Sequence, residues 1–243
     1  MSSSAPKIGF DRFVHLDWVA VALTVSSGVA PLDMLSELLE SSCLGKEARA
    51  KTQTKLNALC LQPRPELGEF IDRGRCLVRD SNQSNAVLVF AWGAAIATYP
   101  FFGKIAEVVG RLTLLQGDCS VSEIHRRMSE VYGDREITKR ATQAVLQTVA
   151  NWGVLERVEK ARRLIRLAPT EIQNEEFTAW LIEAGVRYLG KPALVSSLQT
   201  LPVLFPFTLT QPLGYVVSNS VDLSLRSEGP SNQFVALREK IDF

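Results

Sequence analysis

The strongest constraint in this sequence is an uncharged stretch at residues 81–103, whose central part, AVLVFAWGAAIATYPFF at 86–102, is strongly apolar. A membrane-spanning helix needs about 20 consecutive apolar residues. Here Tyr99-Pro100 interrupts the pattern and Gly93 lies in its middle, and a residue that precedes proline disfavours helical geometry. We therefore predict a buried helix that ends before Pro100 and around which the rest of the chain packs.

The composition is that of a globular protein with a large core. Of the 243 residues 46% are hydrophobic, and 27 Lys and Arg balance 26 Asp and Glu, which excludes an intrinsically disordered chain. The N-terminus has no long apolar segment after a basic start, so we expect no secretory signal. A second uncharged stretch, 192–221, contains four prolines, which exclude a continuous spanning helix. These features predict a cytoplasmic protein with no membrane partner. The weaker alternative is a membrane-associated protein that is held through Ala86–Phe102.

The cysteine and histidine spacings predict neither a metal site nor a cofactor. No two cysteines form a C-x-x-C pair, and the two histidines, His15 and His125, lie far apart. Structural zinc sites use closely spaced ligands, so we predict reduced thiols that are mostly packed as small apolar groups. The cysteines are Cys43, Cys60, Cys76 and Cys119. P-loop, dinucleotide-binding, zinc-protease and nucleophile-elbow motifs are also missing, and we expect a non-catalytic protein.

Helical periodicity dominates the first hundred residues, and alternation appears near the end of the chain. The pattern predicts helices between residues 10 and 61, at 66–78, at Ala86–Thr98 and at Glu175–Leu189. After residue 200 the segments VLFPFTLT, YVV, VDLSLR and QFVALRE alternate apolar and polar residues, which is typical of short strands. We expect the last two segments to form a hairpin across Gly229-Pro230.

Residues 104–167 predict the order helix, helix, tight turn, helix and two-stranded hairpin. An amphipathic helix at 104–115 ends at Gly117. Ser120 is then suited to be the N-cap of a second helix, with Glu123 completing a capping box. That helix runs to about Tyr132, and Val131 is expected on its buried face.

The third helix of this segment is predicted at 136–152. Asp134 is expected to cap its start, and Ile137 to lie on its apolar side. Gly153 is expected in the left-handed conformation that commonly follows a helix. VLERV and RLIRL then form the hairpin, joined by the charged link EKAR.

This segment resembles the winged helix-turn-helix superfamily of DNA-binding modules. The matching residues are SVSEIHRRMSEVYGDREITKRATQAVLQTVANWGVLERVEKARRLIRL, and NWGVLER is similar to the common exit from a recognition helix into a wing. The resemblance covers about a quarter of the chain and identifies a superfamily rather than one family. It implies that the third helix lies in the major groove of double-stranded DNA and that the hairpin, or wing, lies beside it.

The polar residues of the third helix and the wing are our candidate DNA contacts. Arg can hydrogen-bond guanine bidentately, and Gln can do the same to adenine. The expected base-facing residues are Lys139, Arg140, Gln143 and Gln147. The expected phosphate-facing residues are Arg135, Arg157, Lys160, Arg162 and Arg163, and Arg166 adds a further cation to the wing.

The charge is unevenly divided along the chain. Residues 1–103 carry ten basic and ten acidic side chains, residues 104–168 carry twelve and eight, and residues 169–243 carry five and eight. The basic excess therefore coincides with the segment that resembles a winged helix, which favours a nucleic-acid partner.

An alternative function is left open by the same segment. Exposed Arg and Gln occur on any solvated helix, and winged helices also serve as protein docking surfaces. The alternative is a scaffold or adaptor subunit that holds a protein partner, or forms a homo-oligomer, through the winged helix and the C-terminal strands. Prokaryotic multi-subunit systems, including phage-defence complexes, use subunits of comparable architecture, which is an analogy of architecture only.

Together these patterns predict a mainly α protein with small β structure. We expect a helical N-terminal region at 1–98, a winged helix-turn-helix at 99–169 and a C-terminal region at 170–243 with a helix and short antiparallel strands. The main functional hypothesis is DNA binding, as a transcriptional regulator or as the DNA-binding subunit of a larger prokaryotic assembly.

Overall fold

The structure is a computed structural model that describes residues 6–42, 45–228 and 232–239. The chain is mainly helical with small sheets, which confirms the predicted fold class. The α-helices of the described residues are α1 (Leu16–Ser26), α2 (Asp33–Ser41), α3 (Lys46–Leu56), α4 (Gly68–Arg79), α5 (Ala86–Thr98), α6 (Pro100–Gln116), α7 (Val121–Tyr132), α8 (Glu136–Asn151), α9 (Glu175–Leu189) and α10 (Leu213–Asn219).

Short helical turns and strands connect these helices. A π-helical turn, Asn57–Leu61, continues α3, and 3-10 turns occur at Pro65–Leu67, Val195–Thr200 and Pro202–Leu204. The strands are β1 (Asp118–Ser120), β2 (Leu155–Val158), β3 (Arg163–Arg166), β4 (Thr170–Ile172), β5 (Ala193–Leu194), β6 (Phe207–Leu209), β7 (Leu223–Glu228) and β8 (Asn232–Leu237).

The uncharged stretch forms the centre of the molecule. Helix α5 has the predicted bounds. Helix α6 starts at Pro100, four residues before the predicted start at 104, because proline needs no amide hydrogen in the first turn of a helix. Trp92 is fully buried, and its indole N–H donates to the carbonyl of Val203 at 2.9 Å. Within the described residues no single helix has the length and apolarity to cross a membrane. Only α5 and α6 together do, and they are bent by 115° at their junction.

Helix α9 packs on α4 and α5 through Trp180, whose ring fits between two glycines. Its indole ring stacks on Phe70 with centroids 4.5 Å apart and on Phe90 at 5.8 Å, and its N–H donates to the Phe70 carbonyl at 2.8 Å. A Cβ at Gly74 or Gly93 would come within 2.6 Å or 2.2 Å of the ring carbons. Only glycine therefore leaves enough space for Trp180 on both helices.

The segment at 104–167 has the predicted order of helices and hairpin, with one strand added. Strand β1 precedes α7 and pairs with β3, so that β1, β3 and β2 form an antiparallel sheet in the order β1-β3-β2. The three residues of β1 are too few to show a period in the sequence. Gly153 has the expected positive φ, +72°, at the exit from α8.

The C-terminal region differs from its prediction in two elements. The segment YVV was predicted as a strand, but it lies in α10, where Leu213, Val216 and Val217 are buried at helical spacing on one face. Strand β6 pairs in parallel with β4, whereas antiparallel pairing was expected. Strands β7 and β8 pair antiparallel as predicted, and β8 also pairs with β5. The turn at Gly229-Pro230 lies outside the described residues.

The three predicted regions share one hydrophobic core. The buried apolar side chains of all three form a single contiguous cluster. The N-terminal segment also bonds to α8: the Val14 amide donates to the hydroxyl of Thr148 at 3.0 Å, and the Trp152 indole donates to the Val14 carbonyl at 3.0 Å. Helix α8 is therefore held by the N-terminal region as well as by its own sheet.

Candidate nucleic-acid interface

The start of α7 has half of the predicted capping box. The hydroxyl of Ser120 accepts a hydrogen bond from the amide of Glu123 at 3.1 Å, which satisfies one free amide of the first turn. The carboxylate of Glu123 does not complete the box but binds Arg126 at 2.8 Å and Arg127 at 2.7 Å. These two guanidinium groups lower the pKa of Glu123 to about 2. Val131, predicted to be inward, is 44% exposed.

The start of α8 also differs from its prediction. Arg135 is the N-cap residue, and its side chain makes no capping bond within the described chain. Asp134 was predicted to cap this helix, but it lies one residue too early and pairs with Lys139 at 2.9 Å. The exposed guanidinium of Arg135 donates to the carbonyl of Tyr132 at 2.9 Å. Ile137, predicted to be inward, is 52% exposed because it lies at the end of the helix, beyond the core.

Helix α8 has one polar face, and the four expected base-facing residues lie on it. Lys139, Arg140 and Gln147 are exposed and Gln143 is half-buried. Their spacing of one, three and four residues places them on a single stripe. The opposite face is packed against the core by Ala141, Thr142, Val145, Thr148 and Val149.

Neighbouring carboxylates pair with both cations of this stripe. Lys139 pairs with Asp134, which raises its pKa, and Arg140 pairs with Glu136 at 2.9 Å. All four partners are exposed, and exposed ion pairs of this kind contribute little to stability because solvent screens them. These ion pairs can therefore exchange for a stronger anionic partner.

The two faces of the β2–β3 hairpin separate the arginines of the wing. Arg157 lies opposite Leu164 in the ladder, on the same face as the buried Leu155 and Cys119. It is half-buried, and its Nε is buried without a hydrogen-bond partner in the described structure. Arg166 lies on this inner face too and donates to the carbonyl of Phe205. Both residues point towards the protein rather than away from it.

The tip of the hairpin carries two exposed cations. Lys160 and Arg162 are exposed, and no described carboxylate lies within 4 Å of either. Arg163, on the outer face, pairs with Asp118 of β1 and with Glu159 at 3.3 Å. Residues Glu159, Lys160 and Ala161 all have positive φ, between 52° and 64°, a conformation that non-glycine residues adopt at a cost.

In the described residues no three His, Cys, Asp or Glu side chains lie together in a way that could hold a metal ion. Cys60 and Cys119 are buried, which raises the pKa of each thiol to about 12, and Cys76 is exposed. Cys43 lies outside the described residues. His125 is half-buried, and burial lowers its pKa.

The charge count of the segment overstates the free positive charge at this surface. The pair Glu136–Arg140 has the i, i+4 spacing that can be read from the sequence. The pair Asp118–Arg163 joins residues 45 positions apart, and only the pairing of β1 with β3 brings them together. Sequence reasoning therefore missed the neutralisation of Arg163 and the inward position of Arg157.

Comparison of the chain with protein-family models, with curated proteins and with solved structures finds no match. The function must therefore be inferred from the residues and their geometry.

Proposed function

We propose that this protein binds double-stranded DNA, without catalysis, through the tip of the β2–β3 hairpin and the polar face of α8. The observation that carries the proposal is the pair of exposed, unpaired cations at the hairpin tip, Lys160 and Arg162. Free basic side chains on a protruding hairpin can follow a phosphate backbone or enter the minor groove.

The polar face of α8 supports the same proposal. Gln143 and Gln147 are uncharged, so they have no ion pair to break before they contact DNA. Their amides can form hydrogen bonds to the edge of an adenine base. Lys139 and Arg140 can exchange exposed ion pairs for guanine or phosphate contacts, since such pairs are weak. Arg135 at the start of α8 is exposed and suits a phosphate. The inward position of Arg157 makes it the least suited of the nine candidates.

The wider role that we propose is that of a cytoplasmic transcriptional regulator or of the DNA-binding subunit of a larger prokaryotic assembly, including a phage-defence complex. The support is that the regions before and after this module in the chain share one hydrophobic core with it. This part of the proposal rests on architecture alone.

Fluorescence anisotropy with a labelled random-sequence duplex at two salt concentrations tests DNA binding. The Lys160→Glu/Arg162→Glu variant should bind more weakly on every sequence, and its salt slope should fall by about 2, because each phosphate contact contributes about 0.9 to that slope. The matched control is Lys46→Glu/Lys191→Glu, which reverses two exposed charges outside the hairpin module that have no described carboxylate within 4 Å. If the two double variants bound duplex DNA equally well at low salt, the hairpin would not be the contact surface.

A second candidate function is protein docking, and exposed apolar side chains favour it. Leu114 and Leu115 at the end of α6 are 60% and 82% exposed, and Ile165 and Leu167 are 38% and 37% exposed. Exposed apolar side chains mark docking surfaces when they are contiguous. Analytical ultracentrifugation of the purified protein and of Leu115→Glu tests this candidate. A salt-insensitive oligomer that the variant loses, together with no DNA binding, would favour docking.

A further inference from the structure

Arg166 is a cation without a compensating anion. It ends β3 and is half-buried, with one N–H donating to the carbonyl of Phe205 and its guanidinium 5.6 Å from the centre of the Phe205 ring. Its Nε is buried and has no hydrogen-bond partner, and no carboxylate within the described residues lies within 4 Å. Burial lowers its pKa.

A cavity of about 350 Å³ lies at this guanidinium, between α6, the Pro202–Leu204 turn and β6. Its floor includes Phe205 and Phe207, both 5% exposed, and Leu114 lies at its rim. Thr200 and Thr208 contribute hydroxyl groups. Arg166 is the one charged side chain among the described residues that line the cavity. The volume is within the usual range for small-ligand sites, about 300–1,000 Å³.

An uncompensated cation beside a cavity with apolar rings in its floor has a physical consequence. A buried donor without a partner and a charge without a counter-ion are both unfavourable in apolar surroundings. An anion in the cavity would supply the counter-charge to the guanidinium. We infer that this cavity binds a small organic carboxylate with an apolar body, whose carboxylate pairs with Arg166.

The single cation favours a monoanion over a phosphate. One carboxylate balances one guanidinium, whereas a doubly charged phosphate would bring a second charge into an apolar floor. A larger cavity near Trp180, about 620 Å³, also contains an arginine, Arg73. That guanidinium already pairs with Glu183 at 2.6 Å and with Asp222 at 3.0 Å. Arg73 therefore already has two counter-ions, whereas Arg166 has none among the described residues.

Calorimetric titration with octanoate as the probe, without DNA present, tests the inference independently of the proposed function. Octanoate should bind, 1-octanol should bind about tenfold more weakly or worse, and inorganic phosphate should not bind. Arg166→Gln keeps a donor for the Phe205 carbonyl but removes the charge, and it should lower octanoate affinity by about tenfold or more, as expected for a charge-assisted hydrogen bond. The matched control, Arg162→Gln, removes an equal charge from the exposed hairpin tip and should bind octanoate as the wild type does.

A rim variant keeps the inference testable if Arg166→Gln fails to fold. Leu114→Glu places a negative charge at an exposed position of the rim and should also weaken octanoate binding while leaving the circular dichroism spectrum unchanged. The inference is overturned if octanoate does not bind, if octanol or phosphate binds as tightly as octanoate, or if the folded variants at Arg166 and Leu114 retain wild-type affinity.

Discussion

The Gly93→Ala substitution tests how tightly the core of this protein is closed. A methyl group at position 93 would lie 2.2 Å from one ring carbon of Trp180 and 2.6 Å from the next, whereas ordinary contacts begin near 3.4 Å. The indole would have to retreat by more than 1 Å. It cannot do so freely, because Phe70 stacks on it at 4.5 Å, and the backbone of Gly74 approaches it from α4.

The expected magnitude follows from two opposing terms. Overpacking a well-filled core costs about 1–3 kcal/mol, and the fixed neighbours of Trp180 place this site near the upper value. Alanine gains about 1 kcal/mol over glycine inside a helix. We therefore expect a net loss of about 2 kcal/mol in the free energy of unfolding, or a fall in Tm of roughly 4–8 °C for a chain of this length. Thermal and urea unfolding followed by circular dichroism measure both quantities.

Gly68→Ala is the matched control because a Cβ at the first residue of α4 meets nothing within 4 Å. It should leave stability unchanged or raise it by up to about 1 kcal/mol. Replacing Trp180 by Leu in the Gly93→Ala background should cost less than the sum of the two single changes, since the clash has been removed. If the Gly93→Ala protein were as stable as the control, Trp180 would be free to move. The tight packing of Trp180 against Gly93 would then be refuted.

Two further predictions concern the α7–hairpin module. Arg126 and Arg127 hold the pKa of Glu123 at about 2, below its ordinary 4.5. Ionised Glu123 therefore stabilises the folded state above pH 4.5, and this stabilisation is lost as the pH falls to about 2. The difference in urea midpoint between wild type and Glu123→Gln should therefore be constant above pH 4.5 and vanish near pH 2, and a difference that persists there would contradict the ion pairs. Ala161→Gly should raise the free energy of unfolding by about 0.5 kcal/mol, because glycine adopts the φ of +64° without the steric cost of a Cβ. A Tm equal to or lower than that of the wild type would argue against the left-handed backbone conformation at the hairpin tip.

The elements with long periodic patterns were predictable from the sequence, and the short ones were not. Helices α5, α7 and α9 have their predicted bounds because each is defined by a full apolar face and by a proline, a serine or a glycine at an end. The segment YVV is too short to distinguish a period of two from one of 3.6, and its helix depends on burial of Val216 and Val217 against the rest of the region. Cap positions were less certain than elements, as Asp134 shows, because an error of one residue changes which side chain meets the free amides.

The sequence by itself determined where the buried helix lies, the order of helices and hairpin in the middle of the chain, and the segment in which positive charge is concentrated. Only the tertiary structure decided which of those charges are free. Ladder register places Arg157 and Arg166 inward, the β1–β3 pairing gives Arg163 a carboxylate from Asp118, and Lys160 and Arg162 remain exposed. The physical reason is that charge composition is a sum along the chain, whereas a charge is neutralised by whichever group lies within a few ångströms in space. The same reason places Arg166, which has no described carboxylate within 4 Å, at the cavity that we propose binds a small carboxylate.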